Sequence, residues 1–121
     1  MVLRKHRVFI SAAIHEAQKS TMRCKHGSVI TCDGIIVSRG YNYRVFTGSS
    51  FSVHAEEVAI SRLPCHLRRN CDDDSKLCLY VIRLGQNGEV TNSKPCRKCT
   101  ARIKSMFNIY KIFFSCDNIR D

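Results

Sequence analysis

Leu77–Leu84 reads LCLYVIRL, with one charge in eight positions and no alternation of apolar with polar residues. A run of that length and β-rich composition is a strand, and its two faces are both apolar. Such a strand needs cover on both sides, and helices laid on either face of a sheet provide it.

The rest of the chain supplies the cover. Residues 3–19 read as a helix, with Val8, Phe9, Ile10, Ala12, Ala13, Ile14 and Ala17 forming a broad apolar stripe. Val29–Cys32 and Ile35–Tyr41 are short β-rich runs joined by Asp33-Gly34, a pair that favours a two-residue hairpin. Asn42–Ser52 reads as a polar and aromatic loop. His54–Leu63 reads as a helix that stops before Pro64, whose ring and missing N–H end it. Pro64–Lys76 is irregular and Gly85–Gly88 is a turn. A third helix is expected over Cys96–Phe107, and a last strand over Ile109–Ser115. Two strand–helix–strand units therefore follow a hairpin, which predicts an α/β sheet with helices on both faces. At 121 residues, the expected organisation is a single domain over residues 1–121.

Lys and Arg number 20 against 10 Asp and Glu, a net charge of +10. Lys94, Arg97, Lys98, Arg102, Lys104 and Lys111 fall in a stretch without an acidic residue. Such a field favours a polyanion or a phosphorylated small molecule as partner. The N-terminus is charged rather than apolar, and no stretch reaches the length of a membrane span, so the expectation is an intracellular protein, cytoplasmic or nuclear, not secreted and not in a membrane. In a reducing compartment, clustered cysteines bind metal or do chemistry more often than they form disulfides, which bears on the eight found here.

Two motifs head predicted helices: His54-Ala55-Glu56 and Pro95-Cys96-Arg97-Lys98-Cys99. Cys96, Cys99, Ile103 and Met106 share one helical face, so both thiols head an apolar stripe. A helix N-terminus lowers thiol pKa and favours the metal-binding thiolate. Glu56, Ala59, Ile60 and Leu63 likewise share a face, which places a carboxylate at the head of a buried stripe and leaves Glu57 solvated. One His and two Cys are three ligands of the kind that hold a catalytic zinc with an open position. Two thiolates cancel the zinc charge and weaken its acidifying effect on water, so a base is needed close by, and Glu56 fills that role.

The pair of motifs resembles the signature of the cytidine deaminase-like superfamily, His-x-Glu followed by Pro-Cys-x-x-Cys. The order of elements is similar over nearly the whole chain. The resemblance implies a three-layer helix–sheet–helix sandwich and hydrolytic deamination of a nucleobase. It implies His54, Cys96 and Cys99 as ligands of one catalytic zinc and Glu56 as the group that moves protons. Asn42 matches an Asn that contacts substrate in many members, and Ala55 lies within the first motif. Free-nucleoside members usually carry Cys in place of His54 and a Glu two residues after the Asn, where this chain has Arg44. Many members also have a fifth strand, and a form truncated after the fourth is one reading of this chain.

Other residues carry weaker expectations. Tyr43, Phe46 and Phe51 interleave with Arg44, a pattern in which rings stack on bases and the guanidinium pairs with phosphate; the alternative is that the rings pack in the core. Cys65, His66 and Cys71 could hold a second, structural zinc, although unpaired thiols are the favoured reading. Asp72-Asp73-Asp74 reads as a solvated loop, and Cys24, Cys32, Cys78 and Cys116 as small buried hydrophobes. His6, His15, His26 and His66 read as ordinary surface or core residues. The expected substrate is cytosine in a nucleotide, then cytosine in single-stranded nucleic acid, then adenine in transfer RNA, with a homo-oligomer a possible assembly. The rival classes are a thioredoxin-type Cys-x-x-Cys, a closed structural zinc site, and an inactive deaminase relative that binds nucleic acid.

Overall fold

The computed structural model describes residues 4–45, 51–63, 77–85, 87–91 and 109–114. The helix expected over Cys96–Phe107, the stretch Pro64–Lys76, Phe46 and Cys116 lie outside these residues.

Helix α1 spans Arg4–Gln18 and is followed by β1 (Lys25–Cys32) and β2 (Ile35–Tyr41). Cys32 faces Ile35 across a two-residue turn, with Asp33 at φ 50° and Gly34 at φ 85°, as an Asp-Gly hairpin requires. A ribbon of β3 (Tyr43–Val45) and β4 (Phe51–Val53) leads into α2 (Ala55–Ser61). Strand β5 (Leu77–Leu84), the short β6 (Val90–Thr91) and β7 (Ile109–Phe114) complete the described elements.

The main sheet runs β2–β1–β5, with β6 and β7 both on the far side of β5. All pairs are antiparallel except β5–β7, which is parallel as a strand–helix–strand connection demands. The two faces of β1 and β5 carry separate cores. Val29, Tyr80, Ile82 and Leu84 pack with Phe9, Ala13 and Ala17 of α1. Ile30, Leu77, Leu79 and Val81 pack with Ala59 and Ile60 of α2 and with Leu63. The non-alternating run at Leu77–Leu84 is thus covered on both sides, and the expected helix–sheet–helix sandwich is what the chain forms.

Two glycines set how closely the helices approach. A Cβ at Gly27 would collide with the Ala13 carbonyl and the Ala17 amide of α1. A Cβ at Gly40 would lie 2.6 Å from the Ala59 amide and 2.8 Å from the Ala55 carbonyl of α2.

Three local expectations need correction. The segment after Asn42 is a paired ribbon rather than a loop, at least in its two described arms. Strand β1 begins at Lys25, four residues before its β-rich run, because β5 pairs with it from Lys25 onward and β2 joins from Gly27. Val8 leaves the apolar stripe of α1 and is 59% exposed. Among the described residues, no helix is long and apolar enough to cross a membrane.

Candidate active site

One end of the sheet gathers the chemistry. Lys25 lies opposite Leu84 and Gly27 opposite Tyr41, so β1 begins where β2 and β5 end. Helix α2 begins at the same end, because Ser28 of β1 donates its hydroxyl to the Ala55 carbonyl at 2.6 Å. Farther along, Ser38 of β2 donates to the Ala59 carbonyl.

The ribbon brings two expected residues side by side. Tyr43 pairs with Val53, so Asn42 and His54 each stand one residue beyond the same end of a cross-strand pair. His54 is the N-cap of α2, extended at φ −76° and ψ 149°, and its carbonyl accepts the Val58 amide at 3.1 Å. Its exposed imidazole makes no side-chain capping bond to the helix it heads. A donor nitrogen presented at a helix start suits the ligand role expected of it.

Glu56 sits in the first turn, 5% exposed, on the face that Ala59, Ile60 and Leu63 also bury. Its carboxyl is pushed above the usual value, chiefly by burial. A bond from its own backbone and the nearby His54 charge oppose that shift, and Glu57 adds to it. A carboxyl raised toward neutrality is suited to accept and return protons. Glu57 is exposed, as expected.

Asn42 is buried and its carboxamide is held by the start of β1 and the residue before it. Oδ1 accepts the His26 amide at 2.8 Å, and Nδ2 donates to the Cys24 carbonyl at 2.7 Å. The Asn42 carbonyl accepts the Ser20 hydroxyl at 2.9 Å. Tyr43 and Arg44 are exposed on the ribbon, and Ala55 is fully buried. Cys96 and Cys99, Phe46, and the Cys65, His66 and Cys71 group lie outside the described residues. Among the described residues, no three His, Cys, Asp or Glu side chains gather as a metal-binding group, so of the expected ligands His54 alone is in view. Its position and the thiol chemistry of Cys96 and Cys99 are compatible with zinc.

His26, which reads from the sequence as an ordinary surface or core residue, stands beside Asn42. It lies opposite Arg83 on β5 and its Nδ1 is 3.5 Å from Asn42 Nδ2. Burial, Arg83 and His54 hold its imidazole below the ordinary value, against a backbone bond at Cys24 that raises it. Counting back in twos from Ile30 finds this residue on the α2 face, provided the strand is extended to Lys25. Cys24 is also not the buried thiol expected; it is exposed and accepts a bond from Arg83 Nη2 at 3.3 Å.

The chain belongs to the cytidine and deoxycytidylate deaminase family, whose zinc-binding region model matches residues 3–116. Among solved structures, it resembles the dCMP deaminase of cyanophage S-TIM5 in apo form, with TM-score 0.67 and 19% identity over 98% of this chain and 90% of that one. The same phage enzyme in complex with dCMP and dUMP gives TM-score 0.63 and 17% identity, over 94% and 82% of the two chains. A variant cytidine deaminase from Mycobacterium tuberculosis gives TM-score 0.60 and 15% identity, over 95% and 87%. No curated protein matches the chain.

Proposed function

We propose that this protein is a zinc-dependent hydrolytic deaminase that converts cytosine to uracil in a nucleotide and releases ammonia. The observation that carries the reading is Glu56, a buried carboxyl with raised pKa, two residues after His54 at the start of α2. Family membership and the likeness to a dCMP deaminase fold support it.

His54, Cys96 and Cys99 would hold one zinc. Bound there, the metal supplies an activated water for attack on the amine-bearing ring carbon. Glu56 takes one proton from the attacking water and gives it to the adjacent ring nitrogen; it then takes the second proton of that oxygen, now bonded to the ring carbon, and gives it to the amine, which leaves as ammonia when the C–N bond breaks and the carbonyl forms. Burial favours its neutral form and so makes the return of each proton easier. Asn42, Arg44, Phe46 and Ala55 are assigned to the substrate. The carboxamide of Asn42 is oriented by its bonds to His26 of β1 and to Cys24 just before it, which leaves a second Oδ1 lone pair for a substrate hydroxyl.

The net charge of +10 favours a second reading, in which the cytosine belongs to single-stranded nucleic acid. Ammonia release from cytidine, its phosphates, their deoxy forms, single-stranded DNA and transfer RNA tests both. The wild type should be active on a nucleotide, and Glu56→Gln should lose ~10²–10⁴-fold or more in rate while keeping zinc. Activity largely retained in Glu56→Gln would overturn the proton-transfer role.

A further inference from the structure

We propose that His26 and Arg83 form a phosphate subsite beside the reaction centre, which takes the 5′-phosphate of a mononucleotide. The inference rests on the deaminase reading above and names the part of the substrate that this end of the sheet recognises.

The two residues face one another across the β1–β5 pair. Both project toward the α2 side. On β1, Ile30 packs against α2 and Ser28 bonds to Ala55, and His26 is the next residue on that face. On β5, Leu77, Leu79 and Val81 pack on the same side, and Arg83 follows them. The pair therefore lies just past the first turn of α2, where His54 and Glu56 stand. The charges of Arg83 and His54 both act on the His26 ring, so the three side chains lie within short electrostatic reach.

Their chemistry suits a phosphate. The guanidinium is a fixed cation whose planar fork pairs with two anionic oxygens at once. Its Nη2 donates to the Cys24 thiol at 3.3 Å, and sulfur is a weak acceptor. A phosphate oxygen is a far stronger one. The Nδ1 of His26 lies 3.5 Å from Asn42 Nδ2, and an imidazole offers ring N–H groups that a phosphate oxygen can accept. Arg23 and Lys25, on the same stretch of chain, add positive charge at this end of the sheet. A neutral nucleoside gives this arrangement nothing to bind, and a nucleotide does.

Binding of the product avoids any dependence on turnover. Titration calorimetry with dUMP, deoxyuridine and inorganic phosphate should show wild type preferring dUMP to deoxyuridine by at least roughly tenfold, the size expected of one charge-assisted contact. Arg83→Gln should bring the two affinities close together. Arg83→Lys should keep part of the preference, because it retains the charge and loses the fork. His26→Gln should reduce the preference several-fold. Wild type with no preference, or Arg83→Gln with the full preference and unchanged circular dichroism, would overturn the subsite. If Arg83→Gln fails to fold, a full preference in Arg83→Lys does the same. Dependence on Arg83 for a single-stranded oligonucleotide, with dUMP no better than deoxyuridine, would also overturn it. Ammonia release is scored separately: an Arg83-dependent preference in a protein inactive on every cytosine substrate would leave the subsite standing and remove the deaminase reading.

Discussion

Ser28 donates its hydroxyl to the carbonyl of Ala55 at 2.6 Å, so the central hairpin grips the residue that separates His54 from Glu56. Both ends of the bond are buried. Ser28→Ala should cost about 1 kcal/mol in urea unfolding, the usual net worth of a buried hydrogen bond. It should also lower turnover, because the start of α2 loses an anchor to β1. An unchanged unfolding midpoint would show that packing alone fixes the helix.

Gly40 and Gly34 should respond in opposite ways to a methyl group. At Gly40 the added carbon meets α2 backbone on two sides and Val58 on a third, none of which can yield without moving the helix. Gly40→Ala should therefore displace α2 and lose both activity and several kcal/mol, as overpacking of a rigid contact does. Gly34 has open space around it and only its φ of 85° to defend. Gly34→Ala should cost no more than about 1–2 kcal/mol and leave activity intact. Thermal melts of the two variants, with activity alongside, make the comparison.

The sequence is legible where one physical constraint acts alone. The run at Leu77–Leu84 has to be covered on both faces, and its odd and even residues indeed feed two cores. Asp33-Gly34 can take two positive φ values, and it does. Glu56, Ala59, Ile60 and Leu63 share a helical face, and all four are buried. Legibility fails where partners distant in sequence decide. Lys25, His26 and Gly27 carry little strand preference of their own, yet pairing with β5 on one side, and of Gly27 with β2 on the other, makes them strand. His26 reads as an ordinary residue in the sequence for that reason, since only the extended strand puts it on the α2 face. The ribbon that sets Asn42 beside His54 does not show in the sequence, because Tyr43–Val45 and Phe51–Val53 are each three residues long, too short for a period to show.

Metal content checks the proposed ligands. The purified chain should carry about one zinc, and His54→Ala, Cys96→Ala and Cys99→Ala should each lose most of it. Cys65→Ala and Cys71→Ala should keep it. Full retention in both Cys96→Ala and Cys99→Ala would remove the three-ligand site. A second zinc lost on Cys65→Ala would establish a separate structural site.

Tyr80 offers a test at the opposite face, away from the proposed chemistry. Its ring stacks on Phe113 at 4.7 Å between centroids, and its hydroxyl lies 3.0 Å from His6 Nδ1. Burial, with a smaller contribution from Cys78, pushes the phenol from 10.0 up to about 12. A group whose pKa is raised on folding contributes stability that is fully present below its unfolded value and lost as pH rises through its folded one. For Tyr80 that window runs from pH 10.0 to about 12, because the unfolded chain ionises there while the folded chain resists. At neutral pH, Tyr80→Phe should cost about 1 kcal/mol for the hydrogen bond to His6. As pH climbs through the window, wild type should lose stability faster than Tyr80→Phe, and the order of the two should reverse. Comparing the variants at each pH removes the contributions of the other tyrosines and of the thiols, which both proteins share. Urea unfolding at neutral pH and at steps through the alkaline range measures the difference, and phenolate absorbance shows where Tyr80 itself ionises. A gap between wild type and variant that stays constant across the window would mean that the Tyr80 hydroxyl is as well solvated in the folded protein as in the unfolded chain.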